Sequence, residues 1–240
     1  MFWISWRCQA RLRSWQLRVE GSRAAARGIF PLVFAEIRLR VSDLAASRRF
    51  YETVLRVLGH QPSTSDERSV AWGEFSIVAA ESGQAPTRGL HIGFGAGSQD
   101  EVDEFWRVGT AAGYRDDGAP GPRPEYSPGY YGSFLLDPDG NSAEAVVHET
   151  TRTGGVVDHV WMRVSDLAAA RGFYLELAPR AGFELKSDRP ERAGFSAGDG
   201  SFSVVDGRPS ENVQMVLAAA VDEPPSSDPD GNVVELRRRS

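Results

Sequence analysis

The 240-residue chain has one cysteine, Cys8, and no Cys-x-x-Cys pair. An intramolecular disulfide, a zinc knuckle and a dithiol redox motif are therefore excluded, and a reducing compartment, the cytoplasm, is expected. No stretch approaches the roughly 18 consecutive apolar residues of a membrane-spanning helix, so no membrane partner is expected. Excess positive charge is missing too. The net charge is −6, whereas a nucleic-acid binder usually carries a basic footprint. Lysine occurs once, at Lys186, leaving arginine as 26 of the 27 basic residues; we read that skew as genome bias rather than chemistry. A phosphate-cradling loop is also lacking, because Gly93-Phe94-Gly95-Ala96-Gly97 has the wrong spacing for a dinucleotide fingerprint, and no nucleotide cofactor is expected. What remains is an ordinary globular composition, 41% apolar and 25% charged, sufficient for one or two domains.

Charge is unevenly spread. Residues 1–32 hold six arginines against Glu20 alone, so the first segment carries +5 and residues 33–240 carry −11. The segment has neither a clean apolar face nor a signal-cleavage pattern. We expect a poorly ordered Arg-rich extension over 1–32.

An internal repeat organises the rest. Arg40-Val41-Ser42-Asp43-Leu44-Ala45-Ala46-Ser47-Arg48-Arg49-Phe50-Tyr51 recurs as Arg163-Val164-Ser165-Asp166-Leu167-Ala168-Ala169-Ala170-Arg171-Gly172-Phe173-Tyr174, with ten of twelve positions identical at an offset of 123. A second marker, Asp-Pro-Asp-Gly-Asn, stands at 137–141 and 228–232, at an offset of 91. The second copy is therefore 32 residues shorter between its markers.

Within the first copy, Ile37, Leu39 and Val41 alternate with Glu36, Arg38 and Arg40, the period of a strand packed on one side. Ser42 or Asp43 then caps a helix whose stripe is Leu44, Phe50, Tyr51, Val54, Leu55 and Leu58, ended by Gly59. Strands are expected near Ala71–Trp72, Phe75–Ala80 and Leu90–Phe94. A second helix should open at Ser98, with Glu101 completing a capping box and Val102, Phe105 and Trp106 inside. A Gly/Pro-rich loop over 113–129 precedes a hairpin of Tyr131–Leu136 and Ala143–Val147 around the Asp137 turn.

Two consecutive βαβββ modules, with Val-Ser-Asp-Leu-Ala-Ala opening the first helix and Asp-Pro-Asp-Gly-Asn before the last strand, resemble the vicinal oxygen chelate superfamily, which contains glyoxalase I, bleomycin resistance proteins and extradiol dioxygenases. The resemblance implies an α+β fold of paired βαβββ modules. It implies a complete domain over 33–149, a linker over 150–155 and a truncated copy over 156–240. It further implies a metal site on Glu36, His91 and Glu144, each facing away from its apolar strand neighbours. Two carboxylates and one imidazole suit divalent iron, manganese, nickel, cobalt or zinc. In such folds the metal acts as a Lewis acid, with Glu144 also catalytic. Copy 2 carries His159 where copy 1 carries Glu36, and a fourth ligand expected in glyoxalase I near Ser76 to Val78 is absent.

Trp72, Arg123, Tyr126 and Tyr130 are candidate substrate contacts: aromatic walls and one anion contact. Alternation lets only one of Tyr130 and Tyr131 point inward; we take Tyr131 as that residue and as the candidate proton donor. The second copy should lack the second helix and about two strands, replaced by Asp222-Glu223-Pro224-Pro225-Ser226-Ser227. We read it as a supporting copy with an open edge able to pair within the chain or in a homodimer. His159, Gln214 and Glu235 form a conceivable second trio, and Arg237-Arg238-Arg239 a solvated tail. The leading functional expectation is a metal-dependent lyase or isomerase acting on a small oxygenated molecule. Dioxygenase ranks lower, since copy 1 offers one histidine where that chemistry uses two. The alternative is a metal-free protein of the bleomycin-resistance type that sequesters a small molecule through Trp72, Tyr130 and Tyr131.

Overall fold

Asp43 and Asp166 fold the two copies of the repeated motif alike. Each carboxylate accepts the backbone N–H three residues on, from Ala46 and Ala169, both at 2.9 Å, which is the bond an N-cap supplies. The helices that follow are α1 (Leu44–Val57) and α3 (Leu167–Ala181), the latter stopped by Gly182 at φ +71°. The second marker returns to the first in both copies. Asp139 accepts the Ser42 N–H at 2.9 Å and Asp137 the Tyr51 hydroxyl at 2.9 Å. In copy 2 Asp230 accepts the Ser165 N–H at 3.0 Å and Asp228 the Tyr174 hydroxyl at 3.4 Å. The two motifs recur together because each completes the other's hydrogen bonds, which buried polar groups require.

In this computed structural model residues 33–149, 155–198 and 200–238 are described. The expected Arg-rich extension, most of the linker and Arg239 lie outside them. The strands of copy 1 are β1 (Phe34–Val41), β2 (Thr64–Ser65), β3 (Ser69–Trp72), β4 (Phe75–Ala79), β5 (His91–Gly95), β6 (Arg115–Pro122), β7 (Tyr131–Leu136) and β8 (Ser142–Val147), with α2 (Gln99–Ala111) after β5. Those of copy 2 are β9 (Val157–Val164), β10 (Glu184–Arg189), β11 (Arg192–Ala197), β12 (Gly200–Asp206), β13 (Gln214–Ala219), β14 (Glu223–Ser227) and β15 (Val233–Arg238). Among the described residues three helices and two mixed sheets make an α+β fold of βαβββ modules. No helix among the described residues is long and apolar enough to cross a membrane.

Pairing runs across the copies. One sheet has the order β14-β15-β13-β1-β4-β3-β2, joining the first module to the last. The other has the order β10-β11-β12-β9-β5-β8-β7-β6, joining the two middle modules. Both junctions are antiparallel and in equivalent register: Arg38 opposes Gln214 and Glu36 opposes Val216 in one, while His91 opposes Trp161 and Gly93 opposes His159 in the other. Apolar strand residues such as Ile37, Leu39, Ile92, Val160 and Met162 meet the helical stripes of Phe50, Tyr51, Phe105 and Tyr174 in the core. Each such fully buried side chain contributes about 2 kcal/mol relative to exposure.

Three expectations need correcting. The Gly/Pro-rich stretch expected as loop contains β6, which lies at a sheet edge and pairs with β7 alone. Edge strands tolerate Gly and Pro because one side of their ladder stays unpaired. The segment Asp222–Ser227 contains another edge strand, β14, with a bulge at Pro224 and Pro225, so the shortened module lacks one helix and one strand rather than two. Arg237 belongs to β15, where it pairs with Glu36 and Glu235 instead of forming a solvated tail.

Candidate metal centre

Strand alternation puts His91 on β5 and Glu144 on β8 on one face of the sheet, and the antiparallel β5–β9 junction brings His159 of β9 to the same place. His91 Nε2 lies 3.0 Å from Glu144 Oε2 and 3.2 Å from His159 Nε2, and the third edge, from His159 Nε2 to Glu144 Oε2, is 3.2 Å. All three residues are buried.

Two glycines make the space. A Cβ at Gly93 would overlap the His159 ring, and one at Gly132 would overlap Glu144 Oε1. Partners on the far side fix Glu144 and His159. Tyr130 donates its hydroxyl to Glu144 Oε1 at 2.8 Å, leaving Oε2 for the imidazoles. Asp158 holds His159 Nδ1 at 2.9 Å and His148 Nε2 at 3.1 Å. A carboxylate behind a histidine sets the tautomer and turns the other nitrogen toward an ion.

The charges follow from these contacts. Burial alone would raise the Glu144 carboxyl, but hydrogen bonds from His159 and His91 override it and hold it down at about 2. Burial would lower His159, yet Asp158 and Glu144 push it up to about 9. His91 is lowered, since for it burial outweighs Glu144. Asp158 sits well below the usual carboxylate range because His148 and His159 outweigh its burial. Burial and the Glu144 charge push the Tyr130 phenol up, so it stays protonated.

The donor set fits a divalent ion. Two imidazole nitrogens and a carboxylate oxygen converge with edges of 3.0 to 3.2 Å, close to one face of a coordination octahedron with bonds of about 2.2 Å. Beside His159 lies a cavity of about 300 Å³, whose lining also includes Trp161, Tyr126, Tyr130, His148 and Arg192.

The other expected site residues are distributed as follows. Glu36 stands on the first sheet, away from His91 and Glu144, held by Arg38 at 2.7 Å, by Ser76 at 2.7 Å and by Arg237 at 3.4 Å. The structure does not bring it to the trio, because β1 pairs with β13 and β4 while β5 pairs with β9 and β8. Trp72 is fully buried beside Tyr51 and Phe75, in the core rather than in the cavity. Arg123 donates to the Ala119 and Pro122 carbonyls and lies 5.5 Å over the Phe134 ring. Tyr126 packs edge-on against Tyr130 and Trp161 and lines the cavity. Tyr130, not Tyr131, touches Glu144; the Tyr131 hydroxyl turns outward to Asp103 at 2.8 Å. Sequence reasoning set His159 in a different trio and did not single out Asp158, His148, Trp161 or Arg192. The first of these carries no local signal, because alternation does not say which strand becomes a neighbour.

Residues 33–145 match the Glyoxalase/Bleomycin resistance protein/Dioxygenase superfamily. Among solved structures, a glyoxalase/bleomycin resistance protein from Albidiferax ferrireducens is 32% identical over 47% of this chain and 96% of its own, with a TM-score of 0.42. Glyoxalase I from Zea mays is similar over 85% of this chain and 91% of its own, with 17% identity and a TM-score of 0.55. A putative dioxygenase from Bacillus subtilis is similar over 86% of this chain and 85% of its own, with 11% identity and a TM-score of 0.58. These last two likenesses carry the fold. No curated protein matches the chain.

Proposed function

Since the chain belongs to the glyoxalase/bleomycin resistance protein/dioxygenase superfamily, we propose that it is a metal-dependent enzyme in which His91, Glu144 and His159 hold one divalent cation. The observation that carries this reading is the convergence of their three donor atoms within 3.2 Å of one another. When bound, the ion supplies Lewis acidity and open positions for two adjacent oxygens of a small substrate. The chain's own residues do the rest. Tyr126, Tyr130 and Trp161 wall the cavity. Tyr130 stays protonated and donates a hydrogen bond to Glu144 Oε1, which leaves Oε2 free to hold the ion. Asp158 accepts a hydrogen bond from His159 Nδ1–H and holds the ring in place. Both histidines and Glu144 come from one chain, so the site needs no second copy.

Lyase or isomerase chemistry was favoured over oxygenation because one copy offered a single histidine. With His159 beside His91 the set becomes two imidazoles and one carboxylate, the donors of ferrous oxygenases, and this favours oxygen-dependent cleavage of a catechol as the second reading. The metal-free sequestration reading loses Trp72 and Tyr131 as contacts, since one lies in the core and the other faces Asp103. We assign the protein to the cytoplasm on its single cysteine.

Elemental analysis of protein purified without chelating tags tests the proposal. About one transition metal per chain, absent from His91→Ala, Glu144→Ala and His159→Ala, is the expected result. Protein that refuses added Fe, Mn, Ni, Co and Zn would overturn it. Loaded protein is then assayed on hemithioacetals and epoxides, and on catechols with oxygen uptake as the readout, which separates the two reaction classes.

A further inference from the structure

Arg192 on β11 lines the same cavity as His159. Its guanidinium lies 5.0 Å over the Trp161 ring, and that ring lies 5.7 Å from His91 and 6.0 Å from His159. The arginine is half-buried, yet among the described residues no carboxylate pairs with it and its side chain makes no hydrogen bond. Other half-buried arginines on the sheets are engaged: Arg38 and Arg237 with Glu36 and Glu235. Lys186, also on the cavity wall, is already paired with Glu184 at 2.5 Å. A guanidinium removed from water without a partner is costly, and a ring face recovers only part of that cost. The ring contact leaves the fork's N–H groups for a planar two-oxygen acceptor. Gly194, two residues along the same strand, keeps the cavity floor beside it open.

We propose that the substrate carries a carboxylate, held by Arg192 against Trp161, in addition to the vicinal oxygens directed at His91, Glu144 and His159. The inference rests on the metal-dependent reading for the position of those oxygens, while the carboxylate subsite stands on Arg192 and Trp161 alone. Copy 2 then selects the substrate, through β9 and β11.

The test measures binding of 3,4-dihydroxybenzoate and its methyl ester to Mn²⁺-loaded protein by calorimetry. A charge-assisted, two-pronged hydrogen bond predicts that the acid binds at least about tenfold tighter than the ester. In Arg192→Gln that ratio falls to about one while the manganese stoichiometry is unchanged; Arg192→Lys, which keeps charge but loses the fork, falls between. A ratio near one in the unsubstituted protein, failure of the acid to bind, or a ratio that survives Arg192→Gln would overturn the proposal. Benzoate against methyl benzoate on the metal-free protein repeats the comparison without vicinal oxygens. A benzoate preference lost in Arg192→Gln supports the subsite even if the protein takes no metal, which would overturn only the metal-dependent reading.

Discussion

The two sheets carry the same positions with different chemistry. Where the second sheet has His91, Glu144 and His159, the first has Gln214, Glu235 and Glu36 at equivalent register. Around them the differences are systematic: Val216 replaces Gly93, Arg38 replaces Trp161 and Arg237 replaces Val146. Glu36 and Glu235 are neutralised by these arginines, at 2.7 to 3.4 Å. One face leaves room and lone pairs for an external cation, whereas the other already contains its cations as guanidinium groups. A single scaffold thus supports a ligand site or a closed ion-pair cluster, depending on whether a glycine and an aromatic or a valine and an arginine stand beside the donors.

The largest effect should separate the sheets outright. Glu144→Ala or His159→Ala is expected to lower metal affinity by at least about 100-fold, whereas Glu36→Ala and Glu235→Ala should leave about one metal per chain in elemental analysis. Equal losses from both pairs would erase the distinction. Gly93→Ala, which pushes a methyl group into the His159 ring, should cost about 10- to 100-fold in metal affinity in a competition titration. Its counterpart Val216→Ala should instead cost about 2 kcal/mol of unfolding free energy with metal binding intact.

Proton competition sharpens the contrast further. His159 is raised to about 9 in the metal-free protein by Asp158 and Glu144. Its proton must leave when metal binds, so apparent affinity should climb up to about tenfold per pH unit between pH 7 and 9 and level off above. Asp158→Asn removes one cause of the raised value and should flatten that slope. The smallest effect belongs to the first sheet. Arg38 and Arg237 have 37% and 42% of their side chains exposed, so replacing either with alanine should change stability by under about 1 kcal/mol in thermal unfolding.

The fold was readable because its markers bond to one another. Asp137, Asp139 and Asn141 are each required by a backbone N–H or hydroxyl of another segment and Asp43 by the first turn of the helix it caps, so they survive as a visible pattern in both copies. His91 and Glu144 came from the family resemblance, and period-two alternation agreed with it by setting which side of a strand each takes. The third donor was not readable, because alternation says nothing about which strand becomes a neighbour. Glu36 and His159 share a place in the repeat, and only the pairing of β9 with β5 decides between them. Strands β6 and β14 escaped notice because Arg115–Pro122 and Glu223–Ser227 bury little and lie at edges, where no apolar alternation is needed. Arg192 escaped for a related reason: its role comes from the emptiness around its charge, and a sequence does not display a missing partner.

Pairing across the copies also orders events as the chain is made. His91 and His159 are separated by 68 positions, so β5 and β9 can meet once the first three modules have emerged. Strand β1 must wait for β13, nearly the whole chain later, with the β1 edge able to recruit another molecule in the interval. A chain ending after β12 would retain all three donors and still bare that edge. The last module, none of whose side chains is among the three donors, therefore covers that edge only once the chain is complete.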